Sequence, residues 1–350
     1  MEYIKNTIAE NFGGGEATHS LAKPEHQFSL DNVPDLSGKV AVITGGNEGI
    51  GYGCTHTLLA HNISKIIILA RSAEVYEGAI KSLSEDPAIP NASSVASKIS
   101  FHALDLANYK QVVEITNKIV KETDRIDILI LNAAYGIMPY KLSDDGVDYH
   151  MAVNVFGHMT LTSHLMPVLK STASKGNKVR IVCAGSNAHP SSPSDTKFAS
   201  LEELNQDLGP NGLYGRSKLA NILYARYLNK HLTQGGHPNI LANTMHPGFV
   251  ATKASEHDIL EAFPIMGYMM THVMQPFKKD QFQGCVSSMF CATKTEKSGE
   301  YICPPAIPEP GSELSQDMEL AENLVKLARS IVSEKTYKDS VQKGCPFEFY

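Results

Sequence analysis

Tyr214 and Lys218 stand four residues apart in Leu213-Tyr214-Gly215-Arg216-Ser217-Lys218, where a long helical pattern opens. On a helix that spacing puts both side chains on one face. A free tyrosine titrates near ~10, too high for efficient proton exchange at neutral pH. A neighbouring ammonium favours the phenolate and lowers that value, so the pair could pass a proton to or from a substrate oxygen. Alone the pair carries little weight, because chance readily supplies one in a chain with 14 tyrosines. Ser186 closes the run Arg180-Ile181-Val182-Cys183-Ala184-Gly185-Ser186. There, at the C-terminal edge of a strand, its hydroxyl could donate to a substrate oxygen as negative charge develops. Asn154, in Met151-Ala152-Val153-Asn154-Val155, falls mid-helix, where asparagine is mildly unfavourable. By residue type alone it reads as a tolerated polar position.

A second constellation is Thr44-Gly45-Gly46-Asn47-Glu48-Gly49-Ile50-Gly51, which follows an apolar run and opens a helix. Glycines permit a tight turn and close approach of a pyrophosphate, and the helix N-terminus offers unpaired N–H groups. Arg71 stands about twenty residues beyond, where nicotinamide-cofactor sites place an acid for a ribose hydroxyl or an arginine for a 2′-phosphate. The arginine favours NADP(H), although it could also stack on adenine in an NAD enzyme.

These groups need a scaffold, and the pattern supplies one. Seven short apolar runs lie between amphipathic segments: Lys39 to Ile43, Lys65 to Ala70, Ile99 to Leu104, Ile128 to Leu131, Val179 to Ala184, Ile240 to Met245 and, weaker, Tyr301 to Cys303. Most are apolar throughout, as in parallel strands covered on both faces. Helical patterns span Gly51 to His61, Glu74 to Leu83, Tyr109 to Thr123, Val147 to Leu169, Tyr214 to His231 and Met318 to Val332. This alternation predicts an α/β, Rossmann-type doubly wound parallel sheet of about seven strands flanked by helices. Glu85 to Ser97 reads as a surface loop. Asp258 to Asp280 carries Ile265, Met266, Met269, Met270, Val273 and Met274 at roughly helical spacing. It suits a core helix, an adaptable wall over an apolar ligand or an amphipathic patch.

Composition narrows the function classes. The chain has 350 residues, 42% of them hydrophobic, and a formal net charge of −6 without a long basic run, which argues against nucleic-acid binding. Its six cysteines show neither CxxC pairs nor zinc-ligand spacing, so no metal site is expected and buried thiols in a reducing compartment are. Met1 to Ser37 holds no apolar stretch long enough for a signal peptide or a membrane anchor, so a cytoplasmic protein is expected.

Taken in order, the turn TGxxxGxG, Asn132-Ala133, Asn154, Ser186, the Tyr214–Lys218 pair and Pro247-Gly248 resemble the short-chain dehydrogenase/reductase family, in its compact single-domain branch. The likeness runs from about Leu36 to Val332. Arg180-Ile181-Val182, Ala188-His189, Ser217-Lys218-Leu219-Ala220-Asn221 and His246-Pro247-Gly248 are similar to retinol-dehydrogenase-like and WW-domain-oxidoreductase-like members. The resemblance implies an N-terminal extension over 1–37, one NADP-binding domain over 38–335 with a helical substrate lid near 253–280, and a tail over 336–350.

It also implies roles. Tyr214 would exchange the proton, Lys218 would lower its pKa and bind the nicotinamide ribose, and Ser186 would polarise the carbonyl. Asn154 would hold a water in a relay to Lys218. Gly45, Asn47, Gly49, Ile50 and Gly51 would line the pyrophosphate turn, with Arg71 at the 2′-phosphate and Asp105 at the adenine. Asn132 would support sheet and cofactor, and Pro247, Gly248, Val250 and Thr252 would border the nicotinamide.

Four departures stand out. Leu131-Asn132-Ala133-Ala134 replaces the usual NNAG, and Gly185-Ser186 replaces a serine pair. The membrane anchor of retinol dehydrogenases is missing. Glu48 stands where NADP-preferring relatives often carry a basic residue.

The implied reaction is NADP(H)-dependent interconversion of a carbonyl and an alcohol on a fairly hydrophobic small molecule. The alternatives are reduction of a C=N or activated C=C bond, and a catalytically silent cofactor-binding regulator. Relatives often form homodimers through the helices matching Val147 to Leu169 and Tyr214 to His231.

Overall fold

A computed structural model describes residues 22–248, 250 and 280–336. Strands β1 (Val40–Thr44), β2 (Lys65–Ala70), β3 (Ile99–Ala103), β4 (Ile128–Leu131), β5 (Val179–Ala184), β6 (Ile240–Met245), β7 (Tyr301–Cys303) and β8 (Ile307–Glu309) form one sheet in the order β3-β2-β1-β4-β5-β6-β7-β8. All neighbours pair parallel except β7 and β8. The central strands β1, β4, β5 and β6 are buried at every position, which explains their unbroken apolar character.

Helices α1 (Gly49–Ala60), α2 (Ala73–Glu85), α3 (Tyr109–Glu122), α4 (Gly157–Ser174), α5 (Gly209–Leu228), α6 (Gln281–Thr293) and α7 (Met318–Thr336) cover the two faces. One apolar core lies under α3, α4, α5 and α7, the other under α1 and α6. Phe28, Val33 and Leu36, ahead of β1, pack into the second.

The register decides where the site can be. Thr44 pairs with both Leu69 and Leu131, Leu131 with Cys183, and Ala184 with Met245. Residues following these strands therefore emerge along one edge: Gly45, Arg71, Asn132, Ser186 and His246. The chain reverses its direction of travel across the sheet between β1 and β4, and such a switch point opens a crevice at the strands' C-terminal ends.

Four features differ from the expectation. β8 is an eighth strand; Pro308 argues against a strand by sequence, and it is tolerated here because β8 pairs on one side only. Helix α6 was not expected either. Its sequence is too evenly buried to show one apolar stripe, but Asp280 and Gln283 form a capping box that marks its start. The loop over 85–97 contains a turn at Ala92–Ser94 and runs into a short helix, Val95–Lys98. Helix α5 starts at Gly209, five residues before Tyr214, because Gly209 takes a positive φ of 68° and Pro210 fits the first turn. The expected lid falls almost wholly on 251–279, outside the described residues.

Helices α1 and α6 meet closely at Gly53, where an added Cβ would lie 2.5 Å from the Gln281 carbonyl oxygen. Gly53→Ala should therefore lower stability by about 1–3 kcal/mol in urea unfolding. Gly78→Ala, on exposed α2 with open space at the Cβ, should instead gain up to about 1 kcal/mol. Equal effects of the two would contradict this packing.

Candidate active site

Thr44, the last residue of β1, organises the switch point. Its Oγ1 accepts N–H bonds from Asn132 (2.9 Å) and Ala133 (3.0 Å), and lies 2.9 Å from His158 Nε2. The hydroxyl hydrogen has the Ile130 carbonyl at 3.5 Å and His158 Nε2 at 2.9 Å within reach, and the shorter contact makes Nε2 the acceptor and leaves the ring proton on Nδ1. Nδ1 then donates to the Asn154 carbonyl at 3.1 Å. Burial holds the pKa of His158 near about 4, so the ring stays neutral.

The turn after Thr44 curls tightly. Gly45 and Gly49 have positive φ values of 66° and 53°, and Thr55 Oγ1 ties the turn to α1 through the Gly46 carbonyl. A Cβ on Gly51 would fall 1.9 Å from the Gly45 oxygen, so only glycine lets the turn close on its helix. From this turn a groove of about 770 Å³ passes Arg71 and Asp105 to Asn132 and Tyr135. Gly45, Asn47, Gly49 and Ile50 line it; Gly51 lies beneath. A glycine turn, an open helix N-terminus and an arginine along the same groove together fit a phosphorylated dinucleotide.

Arg71 shares the groove lining with Tyr149. Burial and Asp105 raise the Tyr149 pKa, opposed by Arg71. Lys141 Nζ sits 3.9 Å from the centroid of the same ring. Glu48 lines the groove at the N-cap of α1, so the turn carries a carboxylate near its mouth.

Asn154 lies in a π turn, Ala152–Phe156, between a first helical turn, Tyr149–Met151, and α4. Such turns cost regular helix geometry and recur at functional sites. The Asn154 amide pairs with the backbone of Tyr135 in both directions, at 2.6 and 3.0 Å. Its Nδ2 also donates to Ser217 Oγ (3.0 Å), which donates to the Tyr214 carbonyl (2.8 Å). The amide is therefore committed to joining the loop after β4 with α5.

Lys218 is 3% exposed and donates from Nζ to the Ala184 carbonyl (3.0 Å), at the end of β5. Asn221 donates to the same oxygen at 2.9 Å. Nζ lies 5.2 Å from the centroid of the half-buried Tyr214 ring. Burial lowers the Lys218 pKa to about 8. Ser186 Oγ accepts from Ala188 N (3.1 Å), and the Ser186 carbonyl accepts from the ring of His189 (2.8 Å). Gly185 cannot be serine without movement, since its Cβ would meet Thr244 Cγ2 at 2.6 Å. Gly215 brings α5 against the loop after Ser186, with its Cβ position 2.7 Å from the Ala188 oxygen.

The sequence-predicted residues thus divide into two groups. Gly45, Asn47, Gly49, Ile50, Arg71, Asp105 and Asn132 share the groove. Lys218 meets the Ala184 carbonyl, two residues before Ser186, and lies over the Tyr214 ring, while Asn154 is tied to the same helix through Ser217. Pro247 and Gly248 follow β6, and Val250 packs near Gly284 of α6 beside Ile50. Thr252 lies outside the described residues. Sequence reasoning missed Thr44 and His158 as a hub, and Arg216, Ser217 and Asn221 as supports. His158 was recoverable as the residue one helical turn after Asn154.

A family model for short chain dehydrogenases matches residues 39–196. The chain is 48% identical to bli-4 of Neurospora crassa, named as a mitochondrial oxidoreductase, over 99% of this chain and 84% of that one. It is 34% identical to dpchH of Colletotrichum higginsianum, named as a short chain dehydrogenase/reductase, over 94% of this chain and 80% of that one. The chain belongs to the short-chain dehydrogenase/reductase family. It is also 28% identical to the WW domain-containing oxidoreductase of Drosophila melanogaster (92% and 77% covered) and 31% identical to mouse retinol dehydrogenase 13 (67% and 65%). Among solved structures, a 3-oxoacyl (acyl-carrier-protein) reductase of Agrobacterium tumefaciens with NADP bound shares the fold. Its TM-score is 0.57 at 18% identity, over 78% of this chain and 95% of that one. Among the described residues of this short-chain dehydrogenase/reductase, no helix is long and apolar enough to cross a membrane.

The depressed Lys218 pKa has a testable sign. The folded protein loses this proton near pH 8, the unfolded chain near its ordinary 10.5. Without cofactor, Lys218 therefore penalises the fold fully below about pH 8, and the penalty fades as pH rises toward 10.5. The stability of Lys218→Met minus that of the wild type should fall between pH 7 and 9.5 in urea unfolding. A difference independent of pH would refute the burial of a charged ammonium.

Proposed function

We propose that this oxidoreductase uses NADP(H) to interconvert a carbonyl and an alcohol on a fairly hydrophobic small molecule, with Tyr214 as proton donor and acceptor. One observation carries the reading: a buried ammonium, fixed by the Ala184 carbonyl, lies over the Tyr214 ring beside the strand end that bears Ser186. The cofactor, when bound, supplies or accepts the hydride.

The chain's own residues do the rest. The N–H groups of the Gly45–Gly51 turn and the positive end of α1 hold the pyrophosphate. Arg71 meets the 2′-phosphate and Asp105 meets the adenine. Asn132 supports the cofactor, while Pro247, Gly248, Val250 and Thr252 border the nicotinamide. Lys218 binds the nicotinamide ribose and favours the Tyr214 phenolate; Ser186 Oγ donates to the substrate oxygen as charge develops there. Asn154 supports a water leading from Lys218. The NADP-bound Agrobacterium reductase is consistent with the cofactor assignment, and no acid competes at the position of Arg71.

Four further readings accompany this one. The chain forms one domain over 38–335. The Met-rich segment after Gly248 is the substrate lid. The protein is cytosolic, although its Neurospora relative is named as mitochondrial; fractionation of tagged protein tests this. A homodimer through α4 and α5 is the least supported expectation, because α7 already covers part of that layer in each chain; light scattering tests it.

NADPH oxidation should be seen with medium-chain ketones or aldehydes, and Tyr214→Phe should lower kcat by about 10²-fold or more. Turnover unchanged in that variant would overturn the assignment. Arg71→Ala should raise KM for NADPH by about 10- to 100-fold, the loss of a charge-assisted contact, while sparing NADH. Equal losses for both cofactors would argue against a 2′-phosphate contact.

A further inference from the structure

Arg216 stands between Tyr214 and Lys218 in sequence, yet its side chain is 1% exposed and turned into the protein. Its guanidinium donates to the carbonyls of Glu203 (3.1 Å) and Leu204, and Nη2 lies 3.7 Å from Asp148 Oδ1. Asp148 is fully buried. Its Oδ1 caps the helical run that leads to Asn154, accepting from Met151 N at 3.0 Å. His150, also fully buried, reaches the Gly136 carbonyl through Nε2 (2.9 Å), while Nδ1 lies 3.7 Å from Asp148 Oδ2.

Three polar atoms here have no hydrogen-bond partner among the described residues: Asp148 Oδ2, His150 Nδ1 and Arg216 Nε. Their chemistry is complementary. Nε2 of His150 must carry a hydrogen to meet a carbonyl, so in the neutral ring Nδ1 is an acceptor. The carboxylate oxygen is an acceptor as well, and Arg216 Nε–H is a donor. The buried cluster therefore holds two acceptors and one donor.

We propose that Asp148 and Arg216, with His150 beside the same carboxylate, form a positioning site for Tyr214 and Lys218. The pair crosses from α5 to the start of the Asn154 helix, parallel to the Ser217–Asn154 bond one residue later on α5. His150 extends the tie to Gly136, in the loop that begins with Asn132. Arg216 thus sets the register of α5 against the two segments that face the cofactor groove.

The proposal rests on the cofactor reading above, and half-cofactors separate the two. 2′,5′-ADP fills only the adenine half of the groove, whereas NADPH also reaches Lys218. By calorimetry, Arg216→Met should weaken NADPH about tenfold and leave 2′,5′-ADP within about twofold. Arg216→Lys should lose less, and Asp148→Asn combined with Arg216→Gln should recover part of the loss, because no lone buried charge remains. Should Arg216→Met fail to fold, the isosteric Asp148→Asn is read in the same way. Parallel loss of both ligands, or loss of neither, would overturn the positioning role. The wild-type titrations alone test the cofactor reading, so each idea can fail separately.

Discussion

An ammonium group held out of water is the constraint around which this structure is arranged. Lys218 Nζ donates to the Ala184 carbonyl and is otherwise enclosed. A buried charge is costly unless fixed partners surround it. The surroundings are correspondingly rigid: β5 is buried throughout, Asn221 shares the same carbonyl, and Gly185 and Gly215 bring backbones together where a side chain would hold them apart. The core thus maintains an electrostatic arrangement that an isolated helix could not. Tyr214 gains a cation beside its ring because a strand end keeps that cation in place.

The second support is the Thr44 hydroxyl. It serves two backbone donors and one imidazole, so β1, the loop after β4 and the Asn154 helix meet at a single oxygen. Because His158 receives that hydroxyl hydrogen, the ring's other nitrogen must face the Asn154 carbonyl. Orientation is transmitted through hydrogen-bond polarity, with no net charge needed.

Much of this was legible in sequence. The strands were read almost to the residue, because a strand covered on both faces must be apolar throughout, as Ile128–Leu131 and Val179–Ala184 are. The spacing of Tyr214 and Lys218, and the glycine turn, depend only on local geometry and were equally plain. What escaped was tertiary. Helix α6 is buried on too many sides to display a stripe, and β8 is a strand only because β7 offers it an edge. Asn154 looked like a tolerated polar residue because its partners, Tyr135 and Ser217, are 19 and 63 positions away. Arg216 would pass for a solvated charge, and only the fold brings Asp148 beneath it.

The π turn at Ala152–Phe156 bears on the lengths of chain this family member can accept. Asn154 must face Tyr135 and Ser217, while three residues later Gly157 must press against Leu106, where a Cβ would lie 2.3 Å from the carbonyl oxygen. A regular helix turns about 100° per residue, and the widened turn reconciles two faces that straight winding would leave out of phase. Deleting one residue here would restore ideal helix geometry and swing either the asparagine or the glycine away from its neighbour. The irregularity therefore makes this segment intolerant of single insertions and deletions, even where its individual side chains are replaceable.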